Sequence, residues 1–449
     1  MKAQELTRRR FLRAAGSGIV ASYLLEPATL WASATSLAPP LQSSARNCIF
    51  IFLSGAPSQV DLWDLKEGAW TPSDFEPTSY GDVRWPRGLL PKTAEHLSRL
   101  HIVRTAAAWA AVHELGRAWA QVTRNPAGVE GSIAPHIGSV VALETAAARR
   151  PSDVLPSFIA LDSSAIPGSG YLSAQHAPFR ITPSREGLPT LLHSDGGERF
   201  RRRWRLLEKL EPQRRAGTLG KSAADMSDFV DQARDLMAVA GINEHFRFGE
   251  DDHARYGATG FGDSLVVARN LLEADLGTRF VQVTMGDWDH HSNIYLKAWD
   301  GSLYGMCARF DPAFAALLDD LSSRPGVSRA TMLDETLIVV SAEFGRTVGP
   351  LSNSQRGRDH FLRQSIVFAG GGVRGGLLGK TDATGANAVE YGWSAGREVR
   401  PEDVTATIYS AMGVDYTMRR TDDPLGRGFE YVPGARQGVY QPVHELFTA

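Results

Sequence analysis

Four stretches of the chain have the continuous apolar pattern of strands that are buried on both faces of a sheet. They are residues 47–53, 279–284, 336–341 and 365–369, with weaker patterns of the same kind at 101–104 and 157–161. Apolar residues at helical spacing occur between them, at 262–275, 313–321 and 401–412. This alternation of strands and helices predicts an α/β fold with a doubly wound, mostly parallel central sheet.

The stretch from about 196 to 250 interrupts this alternation. It is polar, has a helical pattern and contains no strand-like segment. We therefore predict a helical insertion at 196–250 within one large α/β domain that spans residues 35–449.

The first 34 residues have the pattern of a bacterial twin-arginine signal peptide. Arg8 and Arg9 are followed by Phe11 and Leu12, then by an apolar stretch at 14–25 and a small-residue cleavage pattern ending at residue 34. The alternative is a basic N-terminal helix of the folded domain. The apolar stretch is too short to span a bilayer. We therefore expect an exported, periplasmic protein without an integral membrane segment after cleavage.

Composition excludes several classes of protein. The 48 Lys and Arg residues balance 50 Asp and Glu residues, so no basic surplus is present to neutralise the backbone of a nucleic acid. The chain is 43% hydrophobic and 22% charged, as is typical of an ordered globular protein. Two cysteines exclude a disulfide framework and a cysteine-based metal site. The oligomeric state stays open.

Polar groups collect at the ends of the predicted strands. Ligands of an open parallel sheet bind beyond the carboxyl ends of its strands. The segments at these positions are 54–64 after the first strand, 286–293 after the second, 342–347 after the third and 357–361 before the fourth. Each contains a carboxylate, an imidazole or a guanidinium. We therefore expect these segments to form one site.

Carboxylates and imidazoles in these segments suit a divalent metal ion. The predicted ligands are Asp289, His291, Glu343, His360 and Asp61. Without cysteine, this set fits Zn, Mn, Fe, Ca or Mg. The alternative for Asp289 and His291 is a capping carboxylate and a surface imidazole, and for His360 it is a solvated loop. Glu343 has the alternative of an ion pair with Arg346, and Asp61 that of a turn residue.

Three further residues are predicted to act on the substrate. Arg346 and Arg358 are expected to bind an anionic group in bidentate fashion. His113 is expected to assist an attacking water, although it also fits an ordinary residue at a helix start.

Four ordered motifs resemble a known family. They are Leu-Ser-Gly-Ala-Pro-Ser-Gln-Val-Asp (53–61), Gly-Asp-Trp-Asp-His-His (286–291), Ser-Ala-Glu-Phe-Gly-Arg-Thr (341–347) and Gly-Arg-Asp-His-Phe (357–361). In this order they resemble the bacterial domain-of-unknown-function family 1501, which is similar to the alkaline phosphatase and sulfatase superfamily. The resemblance implies an alkaline-phosphatase-like sheet between helical layers and a metal site for ester hydrolysis.

The chain departs from the superfamily pattern in three places. Phe344 stands where a histidine ligand is usual, and the end of the first strand lacks the usual aspartate, for which Asp61 is a substitute. The stretch 105–122, where a nucleophile is expected, offers only Thr105 at a suitable position.

These observations predict an exported metal-dependent hydrolase that acts on a small anionic ester of phosphate or sulfate. The attacking group is metal-activated water or an unidentified nucleophile. The first alternative is a catalytically degenerate, sulfatase-like binding or assembly protein of the periplasm. The second is a metal-dependent isomerase or mutase, because fold alone does not decide the reaction.

Overall fold

The central element of the protein is an eight-stranded sheet. The structure is a computed structural model that describes residues 40–163, 165–188, 197–210 and 220–447. Its strands are β1 (Asn47–Leu53), β2 (Leu100–Ala107), β3 (Phe158–Leu161), β4 (Phe179–Ile181), β5 (Phe280–Met285), β6 (Thr336–Ser341), β7 (Arg363–Ala369) and β8 (Gly376–Leu378). Their order across the sheet is β8-β2-β7-β6-β1-β5-β3-β4. The predicted signal peptide at 1–34 lies outside the described residues.

Every neighbouring pair in this sheet is parallel except the two pairs that contain β7. The predicted α/β class with a mostly parallel sheet is therefore confirmed. The exception has a consequence for the site. Because β7 runs in the opposite direction, it starts at the edge where the other strands end. The connection from β6 to β7 thus stays at the carboxyl edge of the sheet.

Alternate side chains of β1 enter two separate apolar cores. Ile49 and Ile51 pack into the core on one face, which also contains buried residues of the helices at 260–273 and 303–323. Phe50 and Phe52 pack into the core on the other face, together with residues of the helices at 137–144 and 401–411. The sheet therefore lies between two helical layers, and its central strand is apolar on both faces because both faces are covered.

The α-helices are α1 (His113–Val122), α2 (Ile137–Glu144), α3 (Gly197–Leu210), α4 (Lys221–Ala238), α5 (Glu250–Arg255), α6 (Gly260–Glu273), α7 (Leu303–Ser323), α8 (Met332–Glu335) and α9 (Pro401–Ala411). The two-stranded pairs are Pro77–Tyr80 with Val83–Pro86, Gly345–Arg346 with His360–Phe361, Lys380–Thr381 with Ala388–Glu390, and Arg419–Arg420 with Phe429–Glu430. Short 3-10 helices occur at Ser73–Phe75, Thr93–Arg99, Gly131–Ile133, Ala146–Ala148, Ala174–His176, Ile242–Phe246, Ala435–Gln437 and His444–Leu446.

Helices α3 and α4 lie within the predicted insertion at 196–250. Helix α4 is attached to the domain by, among other contacts, a hydrogen bond of 2.7 Å from Ser173 Oγ to the Asp228 carboxylate. That this stretch is a separate insertion stays a prediction. None of the helices in the described ranges combines the length and the apolar character that crossing a bilayer requires.

Candidate metal centre

Four side chains converge at the carboxyl edge of the sheet. His113, Asp289, His291 and His360 each offer one ligand atom, and these atoms all lie within 4.8 Å of one another. His113 is the first residue of α1, which follows β2, and Asp289 and His291 lie in the loop after β5. His360 lies in the short strand that precedes β7. The chain folds locally in this way because each segment leaves or enters the sheet at the same edge.

The spacing of the four groups fits a single cation. Asp289 Oδ1 lies 3.3 Å from His113 Nε2, 3.0 Å from His291 Nε2 and 3.9 Å from His360 Nε2. The Nε2 atoms of His291 and His360 are 2.9 Å apart. Four tetrahedral donors at zinc distances lie roughly 3.3 Å from one another. The separations of 2.9–3.9 Å lie on either side of this value, so the four groups are candidate ligands of one ion.

The outward-facing ring nitrogens of the three histidines all meet acceptors. His113 Nδ1 is 2.8 Å from Glu343 Oε1, and His291 Nδ1 is 2.8 Å from Asp359 Oδ1. His360 Nδ1 is 2.8 Å from the Ala111 carbonyl oxygen. These partners assign the ring proton to Nδ1 in each case. The Nε2 lone pairs then face the Asp289 carboxylate, which is the arrangement of imidazoles that bind a metal.

The charges in the cluster favour cation binding at two positions. Burial raises the pKa of Asp289, but the hydrogen bond from Arg346 and the nearby positive charges outweigh it and lower the pKa overall. Burial, aided by the positive charge of Arg346, lowers the pKa of His360. Asp289 is therefore a carboxylate and His360 a neutral imidazole at neutral pH. The hydrogen bond to Glu343 raises the pKa of His113.

His113 supplies an unsatisfied buried atom to the cluster. Its Nε2 is buried and has no hydrogen-bond partner among the described residues. A buried polar atom without a partner is unfavourable unless something binds it. The sequence predicted His113 as a residue that assists a water molecule, whereas the structure places it among the ligand candidates. His113 lies six residues after the end of β2, at the same edge of the sheet as the other segments.

The loops after β1 and β5 approach each other closely at Gly55. Gly55 has φ +108°, and a Cβ at this position would lie 2.6 Å from the backbone nitrogen of Asp289. The backbone N–H of Trp288 donates to the Ser54 carbonyl at 3.2 Å, and the Trp288 ring is buried. The motifs at 53–61 and 286–291 therefore meet at a contact that only glycine allows.

Phe344 forms an apolar wall beside two of the imidazoles. Its ring is fully buried, with its centroid 4.9 Å from that of His113 and 4.6 Å from that of His360. Phe344 thus packs against the cluster, where it restricts the orientation of both rings.

Glu343 lies behind His113. Its Oε1 accepts hydrogen bonds from His113 Nδ1 and from the backbone N–H of Gly55, both at 2.8 Å. The sequence predicted Glu343 as a metal ligand, but the group of four does not include it. The structure instead places it where it orients a ligand candidate.

Arg346 is also fully buried, and it is directed at Asp289. Its guanidinium donates to Asp289 Oδ1, to the Gly55 carbonyl, to the Ala56 carbonyl at 2.8 Å and to the Arg358 carbonyl at 3.1 Å. The sequence predicted that Arg346 binds the anionic group of a substrate. In the structure its donors are used by protein acceptors, and it fixes the Asp289 carboxylate.

Arg358 and Asp61 are paired with each other. Arg358 Nε and Nη2 donate to the two carboxylate oxygens of Asp61 at 2.7 and 3.0 Å, and the Tyr295 hydroxyl donates to Asp61 at 2.8 Å. Both side chains are buried. The predicted roles, metal ligand for Asp61 and anion binding for Arg358, therefore find no support in this geometry, because each residue neutralises the other.

His290 is the histidine of the motif at 286–291 that does not join the cluster. It is buried, and its Nε2 is 2.8 Å from the Gly301 carbonyl. Burial lowers the pKa of His290 to about 4. Sequence spacing alone does not separate it from His291, because adjacent residues in an irregular loop face directions that only the fold decides.

The chain belongs to the family described as "Protein of unknown function (DUF1501)", which it matches over residues 45–439. This match confirms the resemblance of the four motifs. A search of curated proteins gives no match.

Several solved structures are similar to this chain at low identity. The lipoteichoic acid synthase LtaP from Listeria monocytogenes is 8% identical with a TM-score of 0.37, over 88% of this chain and 77% of that chain. The PsFucS1 sulfatase from Pseudoalteromonas sp. is 11% identical with a TM-score of 0.39, over 83% and 68%. An alkaline phosphatase superfamily protein from Vibrio parahaemolyticus is 10% identical with a TM-score of 0.38, over 84% and 68%.

Proposed function

We propose that this protein is a metal-dependent hydrolase of phosphate or sulfate esters. Its ion is held by His113, Asp289, His291 and His360. The observation that carries the proposal is the convergence of three Nε2 atoms on one carboxylate, with each Nδ1 against an acceptor. The ester class rests on the resemblance of the four motifs to the alkaline phosphatase and sulfatase superfamily.

The composition of the cluster narrows the choice of metal. Three of its four donors are imidazole nitrogens. Imidazole suits Zn and Fe, whereas Ca, Mg and Mn prefer oxygen ligands. Zn is therefore the first candidate, and Ca and Mg are disfavoured.

The chain's own residues prepare the site for ester chemistry. A bound ion of this kind polarises an ester oxygen and lowers the pKa of water. Glu343 and Asp359 keep the protons of His113 and His291 on Nδ1, and Phe344 closes one side of the cluster with an apolar ring. Arg346 holds the Asp289 carboxylate in place.

The test combines metal analysis with a panel of ester substrates. We expect the purified chain, expressed with metals supplied, to contain about one equivalent of a transition metal and to hydrolyse aryl phosphates or sulfates. His291→Ala should lose both the metal and the activity while it stays folded. His245→Ala, at a histidine outside the cluster, is the control and should retain both. Wild-type protein that binds no metal when it is supplied in excess would refute the proposal.

A second candidate function is a non-catalytic binding or assembly protein. The contact that favours it is Arg346, whose Nη1 lies 3.3 Å from His291 Nε2 and whose Nη2 pairs with Asp289. The guanidinium thereby supplies positive charge beside the donors without any ion. Absence of turnover of phosphate, sulfate and phosphonate esters, with or without bound metal, would favour this candidate over the hydrolase.

Export by the twin-arginine pathway is also a proposal, and it is supported by the pattern at 1–34. Replacement of Arg8 and Arg9 by lysine should leave the unprocessed chain in the cytoplasm of a bacterial host. Equal periplasmic amounts of the variant and the wild type in cell fractions would contradict it.

A further inference from the structure

A cavity of about 210 Å³ lies at the carboxyl edge of the sheet. Its polar lining consists of Ser54, Arg117, Gln121, Asp162, Ser163 and Thr284. These residues come from the ends of β1, β3 and β5 and from α1. Two of the lining segments also contribute to the cluster, because helix α1 begins with His113 and the loop that starts at Gly286 contains Asp289. The cavity and the cluster are thus neighbouring parts of one edge.

Arg117 lies between the cavity and the cluster. It follows His113 by one helical turn, and its Nη2 is 4.0 Å from Glu343 Oε1. Its side chain is 30% exposed. Its Nε is buried and has no hydrogen-bond partner among the described residues. A guanidinium has five N–H donors, and one that keeps unused donors in a cavity is suited to an oxyanion.

This position distinguishes Arg117 from the two arginines that the sequence motifs contain. The guanidinium groups of Arg346 and Arg358 are fully buried and donate to carboxylates and backbone carbonyls. Arg117 lies outside the four motifs, yet it lines the cavity and its guanidinium is 4.0 Å from Glu343, the residue behind His113. It is therefore better placed than either of them to contact a substrate.

Besides Arg117, the lining contains hydroxyl, amide and carboxyl groups. Ser163 Oγ lies 2.6 Å from Thr284 Oγ1, and Gln282 Nε2 donates to Gln121 Oε1 at 2.9 Å. These contacts hold the side chains in fixed positions. Groups that both donate and accept suit a ligand that carries several hydroxyls. At roughly 30 Å³ for each water molecule, the cavity has room for only a small group.

We propose that Arg117 binds the anionic group of the ester and that the cavity holds its alcohol part, which is a small polyhydroxy alcohol. This inference rests on the proposed function, since it names the substrate class of the same site. It assigns specificity to hydroxyls on Ser163 and Thr284 instead of to an apolar pocket. It also assigns anion binding to a residue of α1.

The first experiment measures anion binding without turnover. Calorimetric titration of the full chain, with zinc supplied, uses inorganic sulfate and inorganic phosphate as probes. We expect Arg117→Met to weaken binding of at least one anion tenfold or more, because a charge-assisted contact is lost. Arg329→Met is the matched control, at an exposed arginine in the loop before α8, and should bind as the wild type does. Equal affinity of Arg117→Met and wild type would overturn the assignment, as would wild type that binds neither anion.

The second experiment compares glycerol 1-phosphate with methyl phosphate as probes. Wild type should bind the glycerol ester more tightly, and Thr284→Val should reduce that preference threefold or more without changing its affinity for inorganic phosphate. A preference that Thr284→Val leaves intact, or no preference in the wild type, would refute the role of the cavity. These results do not depend on hydrolysis. Loss of the proposed function would show as absent turnover, whereas failure of this inference would show in the binding constants.

Discussion

Two buried arginines at the carboxyl edge are each paired with an aspartate, but the two pairs differ in exposure. The side chains of Arg346 and Arg358 are both 0% exposed. Asp61, the partner of Arg358, is 2% exposed, whereas Asp289, the partner of Arg346, is 46% exposed. Both oxygens of Asp61 are occupied by Arg358. Asp289 Oδ1 faces three imidazoles in addition to its arginine.

The difference separates a structural ion pair from a site. A closed, fully buried pair has no room for another partner, so breaking it leaves an uncompensated charge inside the protein. A carboxylate that is open on one side stays solvated and can exchange one partner for another. We therefore expect different consequences of mutation in the two pairs. Mutation of Arg358 should lower stability, and mutation of Asp289 should weaken metal binding.

The largest expected effect is that of Arg358→Met on folding. The substitution leaves the Asp61 carboxylate buried without its cation, and we expect the free energy of unfolding to fall by about 3–5 kcal/mol. Urea denaturation of the metal-free protein measures it. Arg84→Met is the control, because the pair of Arg84 with Glu67 is exposed on both sides. It should cost no more than about 1 kcal/mol. A similar small value for Arg358→Met would show that the closed pair is not structural.

A smaller effect on stability and a clear effect on metal binding are expected for Asp289→Asn. Arg346 keeps its backbone carbonyl acceptors in this variant, so the free energy of unfolding should fall by only about 1–2 kcal/mol. Zinc affinity should fall by about 100-fold or more, which corresponds to about 2.7 kcal/mol. Competition with a zinc chelator measures it, with the exposed Asp300→Asn as the control. Zinc affinity that survives in Asp289→Asn would remove the distinction between the two pairs.

The sequence predicted the parts of the site that depend on strand ends. Asp289, His291 and His360 were identified because their segments adjoin strongly apolar strands, and apolar runs of this kind are decided locally. The rule was not applied to His113, because the strand before it has only a weak apolar pattern, and the sequence predicted a different role for this residue. The apolar pattern of the strands therefore predicts which motifs lie at the end of a strand.

The sequence did not reveal which polar side chains are hydrogen-bonded to other groups of the protein and so cannot contact a substrate. The acceptors that occupy Arg346 include the carbonyls of Gly55 and Ala56, and every residue has a carbonyl whatever its side chain. The antiparallel direction of β7 was equally hidden, because a buried apolar run reads the same in both directions. Burial and long-range backbone contacts, which the fold alone determines, separate Arg117 from the two buried arginines.

The smallest effect in this comparison is expected for Glu343→Gln. This variant tests whether metal binding near Asp289 depends on Glu343, which lies behind His113. The substitution keeps the shape of the side chain but replaces the charged acceptor of His113 Nδ1 with an amide. We expect zinc affinity to fall 10–100-fold, as is usual for partners of metal-bound histidines, with the fold retained. Glu402→Gln is the matched control, since this buried carboxylate accepts hydrogen bonds from the indoles of Trp109 and Trp119 and lies outside the cluster. If Glu343→Gln and Glu402→Gln both bound zinc as tightly as wild type, the support of His113 by Glu343 would not matter for zinc binding. Zinc binding would then depend on Asp289, His291 and His360.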